Sequence, residues 1–154
     1  MHRLEQVQQF PVSPAVLWQF ISDPANLAVI TPTSMRFKVL SEEKVSQIYT
    51  GQRIRYTVSP LMRIPLQWET KIIAVDAPRS FIDKQIRGPY AFWEHTHILK
   101  EITGGVEMTD VVHYAISPWL GGSVSNAWIV SGKLKNIFAY RRKVLTERFG
   151  TVIF

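Results

Sequence analysis

The feature that most restricts the fold is a single long apolar stripe near the C-terminus. Between about Ser123 and Arg148, and just past it, Ala127, Val130, Leu134, Phe138, Arg141, Leu145 and Phe149 recur every three or four positions. That is the spacing of one face of an α-helix. The other helical patterns are short, so a partner for this stripe has to come from elsewhere. What precedes it reads as sheet. From Met35 to about Ser117 the period changes to two: Met35, Phe37 and Val39 alternate with polar neighbours, as do Ile54, Tyr56 and Val58. "LQWETKIIAV" and "SFIDKQI" give further strands on either side of a "DAPR" turn. "ILKEITGGVEMTDVVHYAI" reads as a hairpin around Gly104-Gly105, a pair suited to the positive φ of tight turns. Pro118 and the "LGG" that follows end the sheet.

Ahead of these strands, Ser13 is a good N-cap with Pro14 at the first helical position, where a missing N–H costs nothing. Leu17, Phe20 and Ile21 then share a face, and Asp23-Pro24 repeats the start signal for a second helix that ends before Pro32. The expected class is α+β. One strand and two short helices lead into a curved antiparallel sheet of six or seven strands, wrapped around the long C-terminal helix so that both apolar faces are buried.

Composition removes several alternatives. With 154 residues, 46% of them hydrophobic and 19% charged, the chain suits one soluble domain over 1–154. No stretch reaches the roughly 18 apolar residues of a membrane span. "MHRLEQVQQF" lacks the apolar centre of a secretory signal, so a cytoplasmic location is expected. The absence of cysteine excludes disulfides, thiolate metal sites and cysteine nucleophiles. The net charge of +6 would suit an anionic partner. Its densest cluster is only "YRRK" at 140–143, and nucleic acid is not an expected partner. "GGSVSN" is not a nucleophile elbow, and there is no phosphate loop or dinucleotide fingerprint.

The chemistry concentrates in "GPYAFWEHTHILKE", residues 88–101. Strand alternation puts Trp93, His95, His97 and Leu99 on one face. A turn centred on Gly104-Gly105 pairs 99 with 110, 97 with 112 and 95 with 114, so Met108, Asp110, Val112 and Tyr114 join that face. Histidines, aspartate, tyrosine and tryptophan mixed with leucine and valine suit a cavity wall with polar anchors better than a dry core. Three readings of the histidines stand side by side. They are hydrogen-bonded wall residues; or a catalytic His/Asp pair drawn from His95, His97 and Asp110, working as acid or base; or two ligands of a three-ligand Zn²⁺ or Fe²⁺ site. The first is preferred, and no metal or cofactor is expected. His113 falls on the opposite face, as a surface residue.

Other side chains fit the same picture. Trp18, Trp68, Trp93, Trp119 and Trp128 are core or rim aromatics, with Trp68 and Trp93 best placed to touch a ligand. Tyr56 and Tyr114 offer hydroxyls from apolar faces, and Glu69 and Glu94 face solvent beside basic neighbours. Arg141 sits where a helix normally buries leucine. Its guanidinium has to snorkel out, pair with a carboxylate such as Asp110, or meet an anionic ligand.

"SDPANLAVITP" at 22–32, "RSFIDKQIRGPYAFWEHTHIL" at 79–99 and "GGVEMTDVVHYAISPWLGG" at 104–122 resemble the SRPBCC superfamily of START-like helix-grip domains, in particular its bacterial polyketide cyclase/dehydrase-like and ligand-binding members. The element order matches over nearly the whole chain, although "SPLMRIPLQW" replaces the Gly-Ile-Pro turn usual before the tryptophan. The resemblance implies a cavity between sheet and helix that holds a hydrophobic or amphipathic small molecule. The ligand-binding set expected from it and from the face pattern is Tyr56, Trp68, Trp93, His95, His97, Asp110, Tyr114, Phe138 and Arg141. The alternative is a polyketide cyclase or dehydratase-type enzyme acting in the same cavity, since fold leaves the reaction open. A monomer or homodimer is expected.

Overall fold

The computed structural model of the chain describes residues 1–41, 47–59, 64–118 and 124–153. Seven strands form one antiparallel sheet: β1 (His2–Phe10), β2 (Lys38–Val39), β3 (Arg53–Val58), β4 (Leu66–Asp76), β5 (Ser80–Arg87), β6 (Tyr90–Ile102) and β7 (Gly105–Ile116). Their order across the sheet is β1-β7-β6-β5-β4-β3-β2, so the chain folds back on itself as a meander and the first strand closes onto the last. Among the described residues two α-helices accompany it, α1 (Pro14–Ile21) and α2 (Val124–Phe149). This is the helix-grip arrangement expected from the lone apolar stripe. Register shifts in the β4–β5 ladder at Glu69/Thr70 and Ile72/Ala74, and in β6–β7 at Tyr90/Phe92, bend the sheet where it has to curve. No helix among the described residues is long and apolar enough to cross a membrane.

Local signals explain α1. The Ser13 hydroxyl accepts from Val16 N–H at 3.3 Å, and Pro14 opens the helix. Asp23 caps the next segment through Ala25 N–H at 3.0 Å, but Pro24–Ala28 forms a single 3-10 turn rather than a second α-helix. With Pro32 a few residues on, the segment has no room for the apolar repeat that would sustain a longer one. Met35 also departs from expectation. It ends a second 3-10 turn, Thr33–Met35, because its N–H bonds back to the Pro32 carbonyl at 2.9 Å. Arg36 then takes the left-handed conformation, φ 48, and the strand shrinks to Lys38–Val39.

The hairpin forms with a different register. Ile102 pairs with Gly105, leaving Thr103-Gly104 as the two-residue turn, with Gly104 at φ 83. Every partner is displaced by two residues from a turn centred on Gly104-Gly105. An even slip keeps each side chain on its face and changes only what lies opposite. Gly105 is needed in the ladder itself, since a β-carbon there would collide with the Phe10 carbonyl of β1.

Two apolar clusters fill the space between sheet and helices. The larger joins α1, through Leu17, Trp18, Phe20 and Ile21, to Phe10, Phe81, Leu99, Val106, Met108 and Leu145. The smaller joins Leu134 and Phe138 of α2 to Trp93, Val112 and Tyr114. Ser123, Trp119, the side chain of Ala127, and the "PLMR" part of the loop before Trp68 lie outside the described residues.

Candidate functional site

On the inner face of β6 and β7 the observed register gives four successive cross-strand pairs: Leu99–Met108, His97–Asp110, His95–Val112 and Trp93–Tyr114. The next strand contributes its own pairs, Phe81 opposite His97 and Asp83 opposite His95. Two histidines therefore stand side by side between two carboxylates, one on each flanking strand. Their ring centroids are 3.7 Å apart, and Phe81 stacks on the outer face of His97 at 3.9 Å.

Asp110 is fully buried, and it is the acceptor that organises the group. Its Oδ1 lies 2.9 Å from His95 Nε2, 3.0 Å from His97 Nδ1 and 3.5 Å from an Arg141 terminal nitrogen. On the other side Asp83 Oδ2 lies 3.0 Å from His97 Nε2 and 3.9 Å from His95 Nδ1. An ionised carboxylate only accepts, so His95 Nε2–H donates to Asp110 and His97 Nε2–H donates to Asp83. His97 Nδ1 is close to Asp110 but out of line for a hydrogen bond, and Asp110 Oδ2 and Arg141 Nε have no partner among the described residues.

The two histidines are pushed in opposite directions. Burial, and then the charge of His97, lower His95 from 6.5 to about 4, so it is neutral. Burial also opposes a charge on His97, but contacts with both Asp110 and Asp83 outweigh it and raise that ring. The carboxylates behave likewise. Burial alone would raise Asp110, yet Arg141 and then the histidines hold it well below the usual range. Burial alone would raise Asp83, but the hydrogen bond from His97 and the positive charge of Arg141 contribute to overcoming it and lowering it. The carboxylates are held ionised beside the Arg141 guanidinium, and a proton entering the cluster is favoured on His97 over His95.

A pocket of about 170 Å³ opens between the sheet and α2 beside this cluster. Tyr56, Trp68, Trp93, His95, His97, Phe138 and Arg141 all line it, together with Asp83 and a mainly aliphatic remainder that includes Ile54, Ile72 and Leu134. Arg141 is 7% exposed and does not snorkel; its guanidinium turns inward to Asp110. Two expected wall residues stand behind the wall instead. Asp110 is covered by both imidazoles and Arg141. Tyr114 is packed against the rings of His2, Tyr90 and Trp93, and its hydroxyl meets Ser131 Oγ at 3.2 Å. Among the other tryptophans, Trp18 is in the core against Phe81, while Trp128 is 78% exposed. Glu69 pairs with Arg53, and Glu94 lies opposite Lys84.

Asp83 is the residue that sequence reasoning missed. Its signal was present: in "SFIDKQI" alternation sets it on the face of Phe81, a lone acid on a face that otherwise points inward. Thr70 was missed as well; it is buried on the pocket wall that Tyr56 also lines, and burial raises the Tyr56 hydroxyl well above its ordinary range.

No family model matches the sequence, and no curated protein matches it. Solved structures do. The crystal structure of TTHA0849 from Thermus thermophilus is similar with a TM-score of 0.73 at 16% identity, covering 96% of both chains. Ms6760 from Mycobacterium smegmatis is similar with a TM-score of 0.65 at 22% identity, covering 95% of this chain and 92% of that one. Ara h 8.0201 is similar with a TM-score of 0.59 at 17% identity, covering 94% of this chain and 98% of that one. At such identities the likeness is one of fold, and it is the helix-grip fold that the strand order and the long C-terminal helix describe.

Proposed function

We propose that the chain binds a hydrophobic or amphipathic small molecule in the pocket between sheet and α2. The observation that carries this reading is the composition of one wall. Tyr56, Trp68, Trp93, Leu134 and Phe138 supply apolar surface, while Asp83, His95, His97 and Arg141 form one contiguous polar group on it. Apolar pockets with a few convergent polar groups suit ligands with a greasy body and a single polar head. The size bears on the ligand too: a dry cavity of about 150 Å³ holds a benzene ring, so the pocket takes one small ring as it stands. A larger body has to extend through the mouth or move α2. The resemblance to helix-grip ligand-binding domains supports the same reading.

Native mass spectrometry of the purified protein tests it. A co-purified small molecule at one equivalent, released on unfolding, is the expected result. Displacement of an apolar fluorescent probe by that molecule, lost in Trp93→Glu, places it in the pocket. A protein that carries nothing and binds no apolar probe overturns the reading.

The alternative reading is an enzyme of the polyketide cyclase or dehydratase type. One observation favours it: His95 lines the pocket as a neutral imidazole, held by Asp110 through Nε2–H with Nδ1 unprotonated. So weak a base serves only for an acidic C–H, such as one between two carbonyls. The reading predicts catalysed deuterium exchange at the central carbon of a 1,3-diketone, abolished in His95→Gln. Exchange no faster than in buffer leaves the binding reading alone.

A further inference from the structure

The geometry points to a divalent transition-metal site, of the Zn²⁺ or Fe²⁺ class, formed by Asp83 Oδ2, His95 Nδ1 and His97 Nε2. One donor atom from each of these three residues lies within 4.8 Å of the others. Asp83 Oδ2 is 3.0 Å from His97 Nε2 and 3.9 Å from His95 Nδ1. Metal–nitrogen and metal–oxygen bonds of about 2.0–2.2 Å put adjacent ligand atoms roughly 3–3.5 Å apart. The longer separation is too wide for a hydrogen bond and is closed by a small movement of either side chain. Two imidazoles and one carboxylate are also the donor set that suits these ions, and it leaves coordination positions open. All three residues line the pocket, so the open positions face it.

The second observation is what stands behind the imidazoles. A ligating histidine ordinarily donates its other ring N–H to a carboxylate, which sets the tautomer and aims the lone pair at the metal. Here one buried carboxylate stands behind both rings: Asp110 Oδ1 accepts from His95 Nε2–H at 2.9 Å and lies 3.0 Å from His97 Nδ1, out of line for a hydrogen bond as the side chains stand. Asp110 Oδ2 has no partner among the described residues and remains able to accept from His97 Nδ1. Arg141, 3.5 Å from Asp110, offsets that carboxylate's charge so that it is not drawn to the ion itself. The ring nitrogens turned away from Asp110 are the two turned toward Asp83. Strand alternation does not bring a carboxylate to each side of the histidines until the β5–β6 register is known, and Asp110, on the β7 side, is the supporting group rather than a ligand.

Cobalt is a suitable probe, because its visible ligand-field bands report coordination directly. Protein freed of metal with a chelator and titrated with Co²⁺ near neutral pH should develop these bands, saturating at one equivalent, and one equivalent of Zn²⁺ should abolish them. Asp83→Ala and His97→Gln should weaken binding at least about 100-fold, and Asp110→Asn, in the supporting position, about 10- to 100-fold. His2→Ala and His113→Ala, remote from the cluster, should bind as the parent does. Asp83→Asn, nearly the same shape, repeats the test should Asp83→Ala unfold, with far-UV circular dichroism confirming the fold of each variant. The proposal is overturned if millimolar Co²⁺ gives no saturable band, or if folded Asp83 and His97 variants bind unchanged.

Discussion

The two ends of the space between the sheet and α2 are built on different terms. Toward the C-terminus of α2, Leu145 is fully buried among Phe10, Leu17, Val106 and Met108, and Phe149 meets the rings of Phe10 and Phe20 edge-on. Toward its N-terminus, Leu134 and Phe138 pack with Trp93 and Tyr114 in a smaller cluster, and Leu134, Phe138 and Trp93 line the pocket, while Trp128 and Ile129 are exposed. The boundary is a polar seam in which His97, Asp110 and Arg141 lie level with one another. Along β6 and β7 the same change takes a single step, from the apolar pair Leu99–Met108 to the pair His97–Asp110. One end interlocks side chains and supplies stability. The other leaves room, and the seam keeps the sheet and helix in register where packing gives out.

Breaking the seam should have the largest effect. Asp110→Ala strands the Arg141 guanidinium and the His95 N–H in a buried site, and removal of one partner from such a group costs about 3–5 kcal/mol. Urea unfolding measures it. A loss below about 1 kcal/mol, the range of an exposed pair, would mean that the seam contributes nothing to holding α2.

Paired truncations compare the two ends directly. Leu145→Ala opens a new void in a close-packed cluster and should cost about 3–4 kcal/mol, whereas Leu134→Ala enlarges an existing space and should cost about 2. Leu134→Ala should also widen the range of apolar probes that bind. Equal losses at the two sites, with unchanged probe binding, would erase the distinction between packed end and open end.

Much of this division was legible in the chain. The stripe on α2, the alternation of β6 and β7 and the caps of α1 are local patterns with one physical solution each. The oddity of Arg141 in an apolar stripe marked the seam before any contact was known. What sequence did not disclose was set by non-local geometry. The hairpin turn lay one residue earlier than the Gly-Gly pair suggested, and that alone moved Asp110 from opposite Leu99 to opposite His97. Asp83 became a neighbour of the histidines only through the β5–β6 register, which no local signal encodes. Asp110 and Tyr114 have the right face but not the right depth, because face parity says nothing about what stacks in front of a side chain.

The seam also gives the fold a stability optimum in pH. His95, at about 4 when folded against 6.5 ordinarily, makes the folded protein bind fewer protons than the unfolded chain between those values. Stability therefore rises with pH across that window, by up to about 3 kcal/mol. His97 is raised, so its contribution is complete below about 6.5 and is lost as pH rises through its folded value. Asp83 and Asp110, both lowered, keep their contributions until pH falls below the ordinary carboxylate range. Urea unfolding from pH 4 to 9 should show a maximum near neutrality, with its alkaline flank missing in His97→Gln. A curve that climbs steadily to pH 9 would show that His97 holds no proton in the folded state.

The smallest and most selective effect belongs to Arg141, the residue shared by seam and pocket. Its replacement by methionine removes a charge yet keeps a long apolar stem over Phe138, where the guanidinium now lies 5.8 Å from the ring. Asp110 is not left bare, because His95 Nε2–H still donates to it at 2.9 Å and His97 remains beside it. Arg141→Met should for that reason cost far less stability than Asp110→Ala, although both break the same contact. Binding is where it should show. A ligand whose head is a carboxylate draws on the guanidinium and should lose about 2 kcal/mol, the scale of a charge-assisted hydrogen bond. A neutral analogue with the same apolar body touches the same aromatic wall and should lose little. Calorimetric titration of both ligands into parent and variant separates these outcomes. Equal losses for the two would assign Arg141 to packing alone, and the polar head would then have to be read by the histidines without it.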